Sequence, residues 1–162
     1  MRRAVLLVAL LLALPAAAQA QLMVFGGQQT WSYAGGDSYT GMGGGIGLRT
    51  GILPIFDIAV DASYYLFEDD GGTKPSSLNY SASAILGKKK DRVNLYAGIG
   101  QYDLRFDNVS ASSSVGVHGG LSIHLLGPIS ADARVILLQA NDGTYDDKVS
   151  TRIFPISIKF QF

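Results

Sequence analysis

Ser122 and His124 lie two residues apart, the separation that puts both side chains on one face of an extended strand. A hydroxyl beside an imidazole is the pairing of nucleophile and general base used in acyl transfer. That chemistry also needs an acid to orient the base. The sole glutamate, Glu68, falls in a polar segment far along the chain. His118 and His124 share parity too, but six residues of strand separate them by ~20 Å, too far to ligate one metal without partners from elsewhere. Both therefore read as lumen hydrogen-bonding histidines. The run Gly41-Met42-Gly43-Gly44-Gly45-Ile46-Gly47 does not satisfy the G-x-G-x-x-G fingerprint of a dinucleotide site, and no helical pattern follows it. The sequence thus assigns no catalytic, cofactor-binding or metal-ligating residue, and implies no cofactor and no enzyme activity.

The elements that would carry these residues are strands throughout. In the last stretch, 152–162, Phe154, Ile156, Ile158, Phe160 and Phe162 alternate with Ile153, Pro155, Ser157, Lys159 and Gln161. One face is apolar and the other largely polar. The length suits a tilted transmembrane strand of ~9–11 residues. Seven further strands are predicted over 22–33, 40–52, 56–67, 78–87, 92–106, 115–126 and 129–139. The third alternates most cleanly, with Phe56, Ile58, Val60, Ala62, Tyr64 and Leu66 against Asp57, Ala59, Asp61, Ser63 and Tyr65. In the fifth, Val93, Leu95, Ala97 and Ile99 share a face and the parity is expected to slip at a bulge near Gly100. Connections alternate between short turns (51–55, 87–92, 126–129) and longer polar segments (34–39, 68–77, 107–114, 142–149).

The start of the chain reads as an export signal. Arg2 and Arg3 precede an uncharged run from Ala4 to Leu14, then Pro15 and a small-x-small site at Ala18-Gln19-Ala20. The expected domains are a signal peptide, 1–20, and a barrel domain, 21–162. Without Arg2 and Arg3, eleven basic residues face thirteen acidic ones, a net of −2 that gives no argument for nucleic acid. There is no Cys, so an exported chain must hold together without disulfides.

The fold class these patterns imply is all-β: an eight-stranded antiparallel up-and-down transmembrane β-barrel. In such a barrel the apolar face meets lipid and the polar face fills the lumen. Arg49, Asp57, Asp61, Asp132, Arg134 and Lys159 are then expected inside as a paired filling, because buried charges survive only when compensated. The alternate glycines 41, 43, 45 and 47 would relieve crowding there, at the risk of a narrow wet slot beside Arg49. Aromatics are expected in two belts at the bilayer interfaces. Trp31, Tyr33, Tyr64, Phe67, Tyr80, Tyr102 and Phe106 would form one, and Phe25, Phe56, Phe160 and Phe162 the other.

With its signal peptide, loop alternation and ending Ile156-Ser157-Ile158-Lys159-Phe160-Gln161-Phe162, the chain resembles the small outer-membrane barrels of the OmpA, OmpX and opacity-protein kind. The resemblance implies the outer membrane as location, both termini in the periplasm, a monomer, and contact with outer-membrane lipid and lipopolysaccharide. It implies delivery by the barrel-assembly machinery through the C-terminal strand. The role implied is structural, envelope-maintaining or surface-interacting, without an open pore. The loops read as shorter than the protruding strands of OmpX-like proteins, which weakens an adhesive role. Two other readings stand beside it. A lipid A deacylase-like enzyme would carry a His-x-Ser pair, here reversed in Ser122 and His124. A soluble lipocalin-like carrier would share the strand count.

Overall fold

The computed structural model describes residues 20–33, 38–53, 55–68, 75–87, 91–106, 109–141 and 148–162. They form eight strands: β1 (Gln21–Tyr33), β2 (Ser38–Leu53), β3 (Phe56–Phe67), β4 (Ser76–Leu86), β5 (Val93–Phe106), β6 (Val109–Leu126), β7 (Ile129–Asn141) and β8 (Lys148–Gln161). Each pairs antiparallel with the next, and β8 closes onto β1 from Met23↔Gln161 to Tyr33↔Thr151. Closure leaves no edge of unpaired backbone groups, the condition a sheet must meet to stand in lipid. The expected signal peptide lies outside the described residues.

Alternation along the strands decides which solvent the wall faces. Leu48, Val60, Leu66, Leu95, Ile99, Val117, Leu137 and Ile156 all point outward and are 49–65 % exposed. Between them, buried in the lumen, lie Arg49, Asp57, Asn94, His118, Ser122, Asp132 and Lys159. Water outside would leave a large continuous apolar surface uncovered. Lipid outside satisfies it, and matches the outward apolar band of a membrane barrel. No parity slip occurs at Gly100: pairing of β5 runs unbroken through Ser81↔Gly100 and Gly100↔Gly116. The irregularity in β5 lies higher, between Leu104 and Phe106.

Toward the long-loop end the pattern inverts. Trp31, Tyr65, Phe67, Tyr102, Leu104, Ile136, Leu138 and Ile153 pack together inside the barrel. At the same level Thr40, Glu68, Gln101, Arg105, Ser113 and Arg152 point outward. Apolar inside and polar outside is the arrangement of a water-soluble barrel, so this end stands clear of the hydrocarbon layer. Here the sequence expectations need correction. Trp31, Phe67 and Tyr102 are not belt residues but lumen core, and so is Phe25 near the turns. Their neighbours Tyr64, Tyr80, Phe160 and Phe162 do face outward. The side chains of Tyr33 and Phe106 lie outside the described residues. β6 and β8 also begin six and four residues earlier than their predicted starts at 115 and 152. The polar run Val109 to Ser114 reads as a loop by composition, yet it continues the β5–β6 hairpin above the membrane.

At the other end the connections are tight. Gly87 and Gly127 adopt positive φ (110° and 54°), a conformation that costs other residues strain. The chain termini of the barrel meet there, where Gln161 N–H donates to Pro128 O and Phe162 N–H to Leu22 O.

Candidate functional site

The polar side chains converge in the lumen, in layers. Nearest the turns, Arg49 Nε donates to Asp57 Oδ2 at 2.7 Å, and its Nη2 reaches Asn94 Oδ1 at 3.2 Å and Gly87 O at 3.3 Å. At mid-depth, Arg134 Nη2 lies 3.3 Å from Asp61 Oδ2 and its Nη1 donates to Ser81 Oγ at 3.1 Å. Ser81 Oγ in turn donates to Asp61 Oδ2 at 2.7 Å. Asp132 accepts from Tyr96 OH at 2.7 Å on one oxygen and meets Lys159 Nζ at 2.7 Å on the other. Arg134 and Lys159 also approach the Tyr96 ring, 5.3 Å and 5.2 Å from its centroid. Above them Asn79 Nδ2 donates to Gln29 Oε1 and Ser63 Oγ, both at 3.4 Å. The apolar cluster of the loop end caps the whole.

All six lumen charges read from the sequence are thus brought together as three pairs: Arg49 with Asp57, Arg134 with Asp61, and Lys159 with Asp132. Desolvating such ions is expensive, and only close partners with further hydrogen bonds offset it. The network closes electrically, three cations against three anions.

Glycine makes the layers possible. Tyr96, Gly120 and Arg134 lie on one row across β5, β6 and β7, and a Cβ on Gly120 would come within 2.5 Å of Tyr96 Oη. The missing side chain lets strands two apart touch. Gly98 does the same between Ser83 and His118. In β2 the space over Gly45 is taken by the Phe25 ring, 2.6 Å from where its Cβ would stand, and that over Gly47 by Met23 Cε at 2.9 Å. The wet slot expected beside Arg49 is therefore narrowed to a cavity of ≈ 20 Å³.

Ser122 and His124 are not brought together as a catalytic pair. Ser122 is buried opposite Asn94 and Asp132, His124 is half-buried opposite Ser130 near the turns, and no hydrogen bond joins them. A different serine meets a different histidine. His118 is hydrogen-bonded to Ser83 Oγ through Nε2 at 2.8 Å and to Tyr102 Oη through Nδ1 at 2.9 Å. Of the two histidines that the sequence reads as lumen hydrogen-bonding residues, His118 takes these partners, while His124 stands half-buried near the turns. The signal was the inward glycine between Ser83 and His118, visible only once the register is known. Tyr102, itself part of the apolar cluster, puts a hydroxyl where an orienting carboxylate would stand. Two cavities among the described lumen residues measure ≈ 20 Å³ each, about one water apiece. Among the described residues no group of three His, Asp or Glu side chains gathers as a metal site. The loop carboxylates Asp37, Asp69, Asp70, Asp107, Asp142, Asp146 and Asp147 lie outside the described residues.

No protein-family model matches the sequence, and no curated protein matches it. Solved structures do. Neisserial surface protein A superposes with a TM-score of 0.60 at 18 % identity, over 89 % of this chain and 97 % of that one. The attachment invasion locus protein Ail of Yersinia pestis, in complex with the heparin analogue sucrose octasulfate, gives 0.55 at 16 %, over 88 % and 98 %. The N-terminal barrel domain of Pseudomonas aeruginosa OprF gives 0.55 at 13 %, over 86 % and 97 %. Wall, lumen and closure together with these likenesses give the chain the eight-stranded barrel fold of small outer-membrane proteins.

Proposed function

We propose that this protein is an integral outer-membrane barrel with a closed lumen and no catalytic activity, serving the envelope as a structural or surface-interacting element. The observation that carries this reading is the inverted alternation: an apolar wall outside and three buried ion pairs inside. A soluble carrier would reverse it. A pore would need an open lumen, which eight strands do not leave. The orientation that fits has the short turns and both barrel termini in the periplasm and the long loops at the cell surface. Export by the 1–20 segment and assembly through β8 belong to the same reading.

At the surface end, the loop segments carry eight acidic residues, Glu68 among them, against Lys74 and Lys148, a net of −6. That sign is wrong for a polyanion such as the heparin analogue bound by Ail. It suits divalent cations, which bridge carboxylates to lipopolysaccharide phosphates through oxygen ligands. Fractionation of expressing cells tests the location: the protein is expected in the detergent-extracted outer membrane, and recovery from the soluble periplasm would refute the reading. Mass spectra of lipid A with and without the protein test the absence of catalysis, and are expected to be identical.

A further inference from the structure

Tyr102 belongs to two assemblies at once. Its ring packs in the apolar cluster of the loop end with Trp31, Tyr65, Phe67 and Ile153, and its hydroxyl is hydrogen-bonded to His118 Nδ1 at 2.9 Å. Through Nε2, 2.8 Å from Ser83 Oγ, the same imidazole reaches a polar residue nearer the turns. The Tyr96 ring, whose hydroxyl donates to Asp132, stands edge-on to it at 6.2 Å. His118 is buried and joins the ion-pair layers to the apolar cluster. A neutral imidazole has one N–H and one bare nitrogen. It donates to one of these hydroxyls and accepts from the other, whichever tautomer is present. An added proton goes to the bare nitrogen. Both ring nitrogens then donate, and Ser83 and Tyr102 must both turn their hydroxyl hydrogens away. Among the described residues neither hydroxyl is hydrogen-bonded to another acceptor.

The ring also gains a charge that the lumen does not balance. The ionised groups that act on it are Arg134 and Asp132 of β7, Asp61 of β3 and Lys159 of β8. Tyr96 and Tyr102 of β5 are the titratable groups beside it, and β4 offers only the Ser83 hydroxyl. Asp61 is already held by Arg134 and Asp132 by Lys159. A fourth cation therefore finds no free carboxylate among them, and an uncompensated buried charge is costly. Relief lies toward the loop end, where the outer face has turned polar, and Tyr102 is the contact on that side. We propose that His118 is an acid-sensing latch. Protonation parts Tyr102 from the imidazole and loosens the apolar cluster at the loop end, while the three ion pairs hold. The two states differ by one proton, bound by the one side-chain type that ordinarily titrates between weakly acid and neutral pH.

Trp31, the sole tryptophan and a member of the same cluster, reports which state is present. The full barrel in micelles is titrated from about pH 8 to about pH 3.5, a span that covers imidazole. The Trp31 emission is expected to move to the red and its quenching by acrylamide to rise about twofold, both reversing on neutralisation. His118→Gln, which hydrogen-bonds as donor and acceptor but takes no charge, is expected to keep its neutral-pH spectrum throughout. A second measurement leaves His118 in place. In His124→Asn a single imidazole remains, and its protonation, followed by NMR, is expected to share its midpoint with the Trp31 change. An unaltered Trp31 across the whole titration would overturn the proposal. So would the same change in His118→Gln, which would assign it to the carboxylates, or an imidazole that protonates with no effect on Trp31. Loss of the folded gel mobility of unheated samples over the same range would show general unfolding in place of a latch, and would overturn it too.

Discussion

Lys159 Nζ and Asp132 Oδ1 stand 2.7 Å apart on β8 and β7, their side chains 9 % and 3 % exposed, and the second oxygen of Asp132 receives the Tyr96 hydroxyl. The carboxylate thus holds a cation from the neighbouring strand β8 and a phenol from β5, two strands away.

Asp132→Ala strands Lys159 without its counter-ion. A broken buried pair costs about 3–5 kcal/mol. Urea unfolding in micelles, followed by the gel mobility of unheated samples, is expected to shift by that amount. Replacing both partners by apolar residues of similar volume, Asp132→Leu with Lys159→Met, should recover most of it. An unchanged midpoint in Asp132→Ala would show the carboxylate to be solvated.

Glycine positions separate by what a methyl group would meet. At Gly45 it strikes backbone and the Phe25 ring, while at Gly119 the nearest atom is 3.7 Å away. Gly45→Ala is expected to lower stability by ~1–3 kcal/mol or to prevent folding, as overpacking does. Gly119→Ala should leave the unfolding midpoint within about 0.5 kcal/mol of wild type.

Trp31 is the sole tryptophan, and its ring meets Phe67 edge-on at a centroid distance of 6.4 Å inside the barrel. Its emission is expected to be blue-shifted and insensitive to lipids with brominated chains. Moving the probe to the wall, as Trp31→Phe with Tyr64→Trp, should make it strongly quenched. Quenching of Trp31 itself would restore it to the interfacial belt.

In planar bilayers the purified monomer is expected to show no stable, large, ohmic channel, because the lumen is filled by Arg134, Tyr96, Lys159 and the apolar cap. Sustained conductance would mean that the ion pairs open.

Strand number, closure order and the six lumen charges were legible in the sequence, because period-two alternation over Phe56 to Leu66 or Phe154 to Phe162 leaves one consistent face. Which charge meets which was not. Asp61 and Arg134 are 73 residues apart, and their approach depends on register and on glycine spacers. The aromatics were misplaced for a related reason. Composition places Trp and Tyr at interfaces, but parity places Trp31 with Gln29 and Tyr102 with Tyr96, and parity prevails. At Gly100 the change from an apolar to a polar outer face imitated a slip of register. The strand had not slipped; its surroundings had changed from lipid to water.

That boundary gives one polypeptide two opposite rules of tolerance. At Val60, half-way up the wall, arginine is expected to cost about 2–4 kcal/mol. At Thr40, on the outer face of the next strand but past the boundary, the same arginine should cost almost nothing. Inside, the order turns over: Ser81 holds its place by being polar, and Leu104 by not being so. The height at which these preferences exchange marks the edge of the hydrocarbon, and a ladder of single arginine substitutions up one strand would read the thickness of the membrane from the protein itself.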